Sequence, residues 1–225
     1  MSPKRVAALI PAYNEAEYIT ATVTALAALS EVNEIVVVDD ASSDSTAELA
    51  AAAGARVIGL PCNSGKGAAL NRGSEQIRAD IVMLLDGDLG DSAGNARLLL
   101  EPVLAGRADM TVAHFPPPRI KGGFGLVKGL ARKGIKFYTG LEMQSPLSGQ
   151  RVMTRQVMDK LLPFASGYGV EVGLTIKAAR AGFKVLEVPV PMTHAETGRD
   201  LKGFWHRGRQ FCHIARVLAK AAVVK

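Results

Sequence analysis

Short apolar runs alternate with longer amphipathic stretches along the first half of the chain. The run Glu34–Asp39, with three consecutive valines, is typical of a strand buried on both faces of a parallel sheet. The predicted strands of this half are 5–10, 34–39, 55–60 and 81–85, and the predicted helices are 15–29, 44–53 and 67–78. Strands that alternate with helices indicate an α/β fold with a mostly parallel sheet, right-handed crossovers and helices on both faces.

The second half of the chain is less regular, and a proline triplet at 116–118 interrupts it. We predict helices at 95–105, 170–181 and 201–222 and strands at 109–113, 148–153 and 184–188. The Gly- and Lys-rich stretch 121–136 carries no predicted element. Because no repeat, low-complexity tract or clear linker divides the 225 residues, the sequence predicts one domain around one hydrophobic core.

Polar residues follow three of the predicted strands at their carboxyl ends. They are Asn14, Glu15, Asp39, Asp40, Asp86, Gly87 and Asp88. Ligands of such sheets bind beyond the carboxyl ends of the strands, so we expect these groups at one edge. Asp86 and Asp88 would point the same way and repel each other unless a divalent cation lies between them. Such a cation would also bind diphosphate oxygens, and Gly87 leaves room for a sugar; a solvated turn is the alternative.

Further residues near these strand ends suit a nucleotide. Tyr13 offers a stacking face, and Glu15 offers an acceptor for ribose or base, or else stabilises the first turn of a helix. Asp39 could accept a hydrogen bond from a base, Asp40 could instead serve as a local cap, and we expect one of the pair to be structural. Residues 65–67 (Gly-Lys-Gly) precede a predicted helix, so backbone amides and the Lys66 ammonium suit an anion. The phosphate-binding P-loop and dinucleotide patterns are absent, which argues against a dinucleotide oxidoreductase.

Four motifs together resemble the family 2 glycosyltransferases of GT-A fold, and within them the dolichyl- or polyprenyl-phosphate sugar transferases. The motifs are 10–15 (IPAYNE), 36–46 (VVVDDASSDST), 65–67 (GKG) and 86–88 (DGD). The resemblance implies a single Rossmann-like domain that transfers a sugar with inversion from a UDP- or GDP-sugar, using Mg²⁺ or Mn²⁺. It also implies a nucleotide-sugar half, 1–115, and an acceptor half, 116–225, that ends in a basic amphipathic helix.

The resemblance implies roles for individual residues. The donor nucleotide would contact Pro11, Tyr13, Glu15, Val37 and Asp39, and the donor site is completed by Lys66, Asp86 and Gly87. The metal would be held by Asp86, Asp88 and His194, although a loop histidine without a metal is the alternative for His194. Catalytic roles are predicted for Asp88, Glu171 and Arg151. Ser148 and Gln150 would contact the acceptor. Gly87 and Gln150 depart from the family's usual alanine and aromatic residue.

Positive charge is concentrated in the segments 119–136 and 199–225. They carry +12 of formal charge, although the net charge of the chain is only +6, and this asymmetry indicates an anionic partner. A lipid phosphate is already ionised and needs cations instead of a general base, and the stretch 144–151 contains no carboxylate. We therefore predict a polyprenyl phosphate acceptor. Its predicted cationic contacts are Arg119, Lys121, Arg132, Arg199 and Lys202.

The last predicted helix places Phe204, Trp205 and Phe211 on one side and basic residues on another. This pattern is typical of helices that lie on an anionic leaflet, although an ordinary surface helix packed on the core is the alternative. No apolar run is long enough to span a bilayer, and two cysteines make no disulfide framework. We therefore expect a cytoplasmic enzyme that is peripheral on the inner face of the cell membrane, with contact through 201–225.

Two other enzymatic functions are alternatives to this prediction. Transfer to a small soluble acceptor such as a glycerate stays open, and nucleotidyl transfer is a further alternative. Nucleic acid is not an expected partner, because a nucleic-acid binder has no use for the paired acids Asp86 and Asp88. A homo-oligomer is left open.

Overall fold

The computed structural model describes residues 3–115, 126–164, 170–192, 215 and 217–219. Its strands are β1 (Val6–Ala12), β2 (Glu34–Asp39), β3 (Arg56–Gly59), β4 (Ile81–Leu84), β5 (Met110–His114), β6 (Arg151–Thr154) and β7 (Val185–Pro189). Its helices are α1 (Ile19–Ala27), α2 (Thr46–Ala52), α3 (Lys66–Gln76), α4 (Arg97–Leu104), α5 (Leu126–Thr139), α6 (Arg155–Leu161) and α7 (Val170–Arg180). A short 3₁₀ helix, Gly90–Ala96, leads into α4.

The seven strands form one sheet in the order β3-β2-β1-β4-β6-β5-β7. The sheet is mostly parallel, as predicted, and β6 is the exception because it runs antiparallel to both β4 and β5. In this register Leu84, at the end of β4, lies opposite Arg151, at the start of β6. The segment that precedes β6 therefore meets the carboxyl end of β4, where the acidic triplet begins.

Helices cover both faces of the sheet, as the alternating pattern predicts. On one face α1, α2, the 3₁₀ helix and α4 bury apolar side chains against the sheet. On the other face α3, α5, α6 and α7 do so. Successive residues of a strand serve opposite layers: Leu9 belongs to the α3 side and Ile10 to the α1 side. Strands buried on both faces explain why β1, β2 and β4 are nearly continuous apolar runs.

Most of helix α5 (Leu126–Thr139) lies in the stretch 121–136, where the sequence predicted no element. Gly129 and Gly134 lower its helix propensity by about 1 kcal/mol each relative to alanine. Packing outweighs that cost, because Ala131 and Ile135 are fully buried against the core. Helix α6 was also missed, and α1 begins four residues later than predicted because residue 14 adopts a positive φ of 56°.

Residues 215 and 217–219 are helical and fall inside the predicted helix 201–222, the remainder of which lies outside the described residues. Leu218 packs against α5: a Cβ placed on Gly134 would lie 2.7 Å from its Cδ1. Val217 lies against α7, 3.5 Å from the Cβ position of Gly173. This short part of the helix thus packs on the core. In the described part of the chain, no helix is long and apolar enough to cross a membrane.

Candidate active site

Three carboxyl groups come together where β1 and β4 end. Glu15 follows β1, and Asp86 and Asp88 follow β4, which lies beside β1 in the sheet. Burial, and then the charges of Asp88, Asp86 and Asp44, raise the pKa of Glu15 from its ordinary 4.5 to about 7. The acids are therefore close enough to share a strong negative potential, which a cation would relieve.

A cavity of about 240 Å³ opens over this acidic cluster. Its lining residues are Pro11, Ala12, Tyr13, Glu15, Asp40, Lys66, Ala69, Asp86, Gly87 and Asp88. Tyr13 is 47% exposed at its rim, so its ring is accessible for stacking. Gly87 lies against Glu15, because a Cβ there would come within 3.1 Å of the Glu15 Cγ. Most residues predicted to contact the donor thus surround one cavity, which we name the donor cavity.

Lys66 supplies the positive charge of the site. It is the first residue of α3, and its Nζ lies 2.6 Å from Asp86 Oδ1 and 3.6 Å from the Glu171 carboxylate. Burial by itself disfavours the charged form, but the charges of Asp86 and Glu171 raise the pKa of the Lys66 ammonium. Lys66 therefore stays charged and joins β4 to helix α7 across the site.

Asp39 and Asp40 make different contacts, and Asp40 has a structural one. Asp40 accepts hydrogen bonds from the backbone N–H groups of Ser64 and Gly65, both at 2.7 Å, and so fixes the turn that presents Lys66. Asp39 is buried and accepts one bond from Ser42 N at 3.2 Å. Its Oδ1 has no hydrogen-bond partner within the described residues, so that oxygen can accept a donor from a ligand.

Gln150 and Gly149 form a second wall of the site, because antiparallel β6 begins beside the end of β4. The Gln150 Nε2 donates to Asp86 Oδ2 at 2.9 Å. A Cβ on Gly149 would lie 2.8 Å from Asp86 Oδ2 and 2.6 Å from Lys66 Nζ, so a side chain there would displace both charged groups. Gln150 therefore orients an acid of the cluster in addition to facing a cavity.

A second cavity of about 240 Å³ lies on the other side of the paired acids. Its lining residues are Asp86, Asp88, Phe115, Lys128, Ser145, Pro146, Leu147, Ser148, Gly149 and Gln150. We name it the acceptor cavity. Asp86 and Asp88 thus border both cavities, and Lys128 from α5 is the cation that faces them across the second one. Lys128 and Phe115 were not predicted as site residues, since they are remote from any motif.

Arg151 does not line either cavity, contrary to a direct catalytic role. Its side chain is fully buried beneath the site, where Nε donates to Ser148 O at 3.1 Å and Nη1 donates to Thr175 Oγ1 at 2.9 Å. Burial lowers the pKa of the guanidinium to about 10, while the charges of Glu171 and Glu187 oppose that shift. Arg151 therefore positions the turn before β6 and helix α7.

Two further residues that the sequence did not single out hold the wall of the acceptor cavity. The Glu187 carboxylate, on β7, accepts from the backbone N–H of Gln144 at 2.7 Å and of Ser145 at 2.6 Å. His114 Nδ1, at the end of β5, lies 3.0 Å from Ser145 Oγ. The only sequence signal for Glu187 is that an acid lies inside the otherwise apolar strand 184–188. That signal does not show that Glu187 bonds to the backbone of Gln144 and Ser145.

Other predicted residues lie elsewhere. Val37 is fully buried in the layer with α1, so its side chain cannot contact a nucleoside as predicted. Arg132 lines a different cavity on the outside of α5, away from Asp86 and Asp88. Residues outside the described part of the chain are Arg119, Lys121, His194, Arg199 and Lys202.

The donor set suits a hard divalent cation. Asp86 and Asp88 offer carboxylate oxygens beside a cavity, and Mg²⁺ and Mn²⁺ are bound by one or two carboxylates plus substrate phosphates. Within residues 3–115, 126–164 and 170–192, no three His, Cys, Asp or Glu side chains are grouped as a metal site. A cation at Asp86 and Asp88 would therefore complete its shell with diphosphate oxygens, water or His194.

The raised pKa of Glu15 predicts how stability depends on pH in the cation-free protein. Between pH 4.5 and about 7 the folded state binds more protons than the unfolded chain, so stability should fall as pH rises through this window. Glu15→Gln should flatten this dependence, and thermal unfolding in the presence of a chelator at a series of pH values measures it. The exposed Glu17→Gln is the matched control; an unchanged pH profile in Glu15→Gln would contradict the acidic cluster.

The chain is similar to several known proteins. The model of glycosyl transferase family 2 matches residues 7–162. Glucosyl-3-phosphoglycerate synthase of Mycobacterium tuberculosis is 32% identical over 98% of this chain and 74% of its own. Glycosyltransferase AglJ of Haloferax volcanii is 31% identical over 88% of this chain and 66% of its own, so this chain spans just under two thirds of AglJ. Undecaprenyl-phosphate mannosyltransferase of Micrococcus luteus is 28% identical over 87% of this chain and 86% of its own.

Solved structures agree with these relatives. The synthase of M. tuberculosis in complex with phosphoglyceric acid superposes with a TM-score of 0.81 at 28% identity, covering 99% of this chain and 81% of that one. Its complex with Mn²⁺, uridine diphosphate and phosphoglyceric acid gives a TM-score of 0.80 at 27% identity, covering 97% and 78%. Since the family model matches well over half of the chain and the same motifs line one site, this protein belongs to glycosyltransferase family 2 and has the GT-A fold.

Proposed function

We propose that the protein transfers a sugar, with inversion and in a metal-dependent reaction, from a nucleoside-diphosphate sugar to a polyprenyl phosphate at the cytoplasmic face of a membrane. The observation that carries this proposal is the position of Asp86 and Asp88 between two cavities. One cavity has the features of a nucleotide site. The other contains a cation and an aromatic residue. A reaction centre between donor and acceptor needs this arrangement.

On the donor side, the residues divide the work of binding. Tyr13 stacks on the base, and the buried Asp39 accepts a hydrogen bond from it or from the ribose. Lys66 pairs with Asp86 in the described structure and is close enough to move to the donor's phosphate or sugar hydroxyls. A bound Mg²⁺ or Mn²⁺, held by Asp86 and Asp88 with His194 as a third ligand, would neutralise the charge that grows on the diphosphate.

On the acceptor side, the cavity favours a phosphate nucleophile. A hydroxyl acceptor needs a general base, and the described lining offers no carboxylate besides Asp86 and Asp88, which the metal would use. A phosphate oxygen is already ionised, and Lys128 supplies a cation to bind it. Ser148 Oγ is buried without a hydrogen-bond partner in the described residues, so it can donate to the same phosphate. Arg119, Lys121, Arg199 and Lys202 would add further cations.

A small phosphorylated acceptor is the second candidate. It is supported by the similarity to glucosyl-3-phosphoglycerate synthase, whose complexes contain phosphoglyceric acid and Mn²⁺ with uridine-diphosphate-glucose. Both acceptors carry a phosphate, so Lys128 and Ser148 serve either. They differ in the group that attacks: an ionised phosphate in one case and a hydroxyl in the other.

A direct assay separates the two candidates. Purified protein with Mn²⁺ is first screened against nucleotide sugars by thermal shift, because a bound donor stabilises the fold by mass action. The preferred donor is then offered with a short-chain polyprenyl phosphate or with a phosphoglycerate. We expect nucleoside diphosphate release with the lipid phosphate, and a product whose anomeric configuration is inverted by NMR. Transfer only to the phosphoglycerate would overturn the lipid assignment, and release of pyrophosphate would indicate a nucleotidyltransferase instead.

A lipid acceptor places the enzyme on the inner face of the cell membrane. We propose that 201–225 contributes to this contact and that 116–225 forms the acceptor half. Leu218 packs on α5, so this segment also stabilises the fold where it has been described. Truncation of 201–225 would disturb both roles. Whether the protein forms a homo-oligomer is measured by light scattering on the full chain.

A further inference from the structure

Helix α5 has two distinct faces. Its inner face, represented by Ala131 and Ile135, is fully buried in the core, and Gly134 is covered by Leu218. Its outer face carries five exposed side chains, which we name the α5 outer face. They are Lys128, Arg132, Lys133, Lys136 and Phe137. The helix contains four basic residues and no acidic residue over its 14 positions, so the outer face is strongly cationic.

The charges of this face are largely not used inside the protein. Lys136 pairs with Glu142 at 2.6 Å, and both side chains are mostly exposed. In the described part of the chain, no salt bridge is formed by Lys128, Arg132 or Lys133. Arg132, Lys133 and Lys136 instead border a shallow cavity of about 340 Å³ together with Gly129, Glu142 and Met143. Cations that do not stabilise the fold are available for an anionic surface.

Phe137 is the most exposed large apolar side chain among the described residues, at 82%. Its ring packs edge-on against Tyr138, with centroids 5.1 Å apart, and the Arg180 guanidinium lies 4.9 Å from the Tyr138 centroid. The edge-on contact with Tyr138 supports one side of the Phe137 ring, and most of the ring remains exposed to solvent. An exposed aromatic ring surrounded by cationic side chains is typical of helices that lie in the headgroup region of an anionic bilayer.

The same helix also reaches the reaction centre. Lys128, near its amino end, lines the acceptor cavity with Asp86 and Asp88, whereas Phe137 lies near its carboxyl end. The two residues are nine positions apart, which is about 14 Å along a helix. They are also half a turn apart around the helix, so Lys128 and Phe137 lie at opposite edges of the α5 outer face, and a bilayer that covers the whole face would meet the acceptor cavity at its Lys128 edge.

We propose that the α5 outer face is a docking surface for anionic phospholipid bilayers. Phe137 enters the headgroup region, and Arg132, Lys133 and Lys136 bind lipid phosphates. Docking needs no acceptor lipid. Its consequence, that an acceptor anchored in the same bilayer presents its phosphate beside Lys128, rests on the function proposed above.

Vesicle sedimentation of the full chain tests this proposal without donor or acceptor. We expect binding to vesicles of equal parts phosphatidylglycerol and phosphatidylcholine, weak binding to phosphatidylcholine alone, and weakening by salt. Lys133→Glu combined with Phe137→Ser should lower the apparent affinity about tenfold or more, given the contributions of one charge reversal and one inserted ring. The matched control is Arg107→Glu with Leu98→Ser, which makes the same change in charge just after α4 and removes an exposed apolar side chain on α4. It should bind like the wild type.

The other outcomes are informative. Equal loss in both double variants would mean that net charge alone drives binding, and an unchanged affinity in the α5 variant would overturn the proposal directly. Circular dichroism and the donor thermal shift confirm that both variants fold. If the wild type bound RNA more strongly than vesicles, or if the α5 double variant changed its oligomeric state, the α5 outer face would be assigned to another partner. Transfer to a soluble short-chain polyprenyl phosphate tests the proposed function separately, so either idea can fail alone.

Discussion

Asp88→Asn should abolish metal-dependent turnover while the protein stays folded. Asp88 borders both cavities, and its charge is the largest electrostatic contribution to the raised pKa of Glu15. The amide keeps the shape of the side chain and removes the charge that would hold the cation. We expect kcat to fall on the order of a thousandfold, as when one group that stabilises transition-state charge is removed. Release of nucleoside diphosphate in the presence of Mn²⁺ measures this loss.

A second readout does not depend on turnover. Mn²⁺ should stabilise the wild type against thermal unfolding, because it binds the folded state, and this stabilisation should shrink in Asp88→Asn. The matched control is Asp91→Asn. It removes the same charge from an exposed side chain that lies three residues after Asp88. Wild-type turnover in Asp88→Asn, or an equal loss in the Asp91 control, would contradict the assignment of Asp88 to the metal.

Arg151→Ala should have the largest effect on stability. Arg151 is the largest fully buried side chain among the described residues, and it bonds Ser148 O and Thr175 Oγ1 while lying near Glu171 and Glu187. Its removal leaves a cavity and takes one buried cation away from Glu171 and Glu187. We expect the free energy of unfolding to fall by about 3 kcal/mol, the range for breaking one partner of a buried charged network. Chemical denaturation of the purified protein measures it.

Arg151→Met distinguishes packing from charge. Methionine fills much of the same volume without a charge, so it should recover a large part of the stability. If Arg151 positions the site, Arg151→Met should still show a raised KM for the acceptor, since the turn containing Ser148 is no longer held. Full recovery of both stability and KM would reduce Arg151 to a space-filling residue. A KM unchanged in the alanine variant would also remove its positioning role.

Much of the donor side could be read directly from the chain. The residues after β1, β2 and β4 are local features, because a parallel sheet places the carboxyl ends of its strands at one edge. Asp86, Asp88, Glu15 and Tyr13 therefore surround one cavity as predicted. Val37 and Asp39 were predicted for the same site but do not line this cavity. A residue inside a strand, such as Val37, can point into either helical layer. Only the register decides which one.

The acceptor side could be read much less well. Lys128 was hidden in a glycine-containing stretch whose helix forms only because its inner face packs on the core. Glu187 accepts hydrogen bonds from residues 144 and 145, which lie more than 40 positions before it in the sequence. The sequence predicted a catalytic role for Arg151, and its burial depends on strand β6 lying between β4 and β5. Such contacts have no local signature.

The sequence by itself determined the family, the alternation of strands and helices, and the acids at the strand ends, because each of these depends on neighbouring residues and simple periodicity. Only the tertiary structure decided that β6 is antiparallel. That direction brings Gly149 and Gln150 against Asp86, and places Arg151 beneath the site. It also decided that α5 faces the reaction centre with Lys128 and the outside with Phe137. The direction of a strand and the rotation of a helix follow from how the whole core packs, which no short segment encodes.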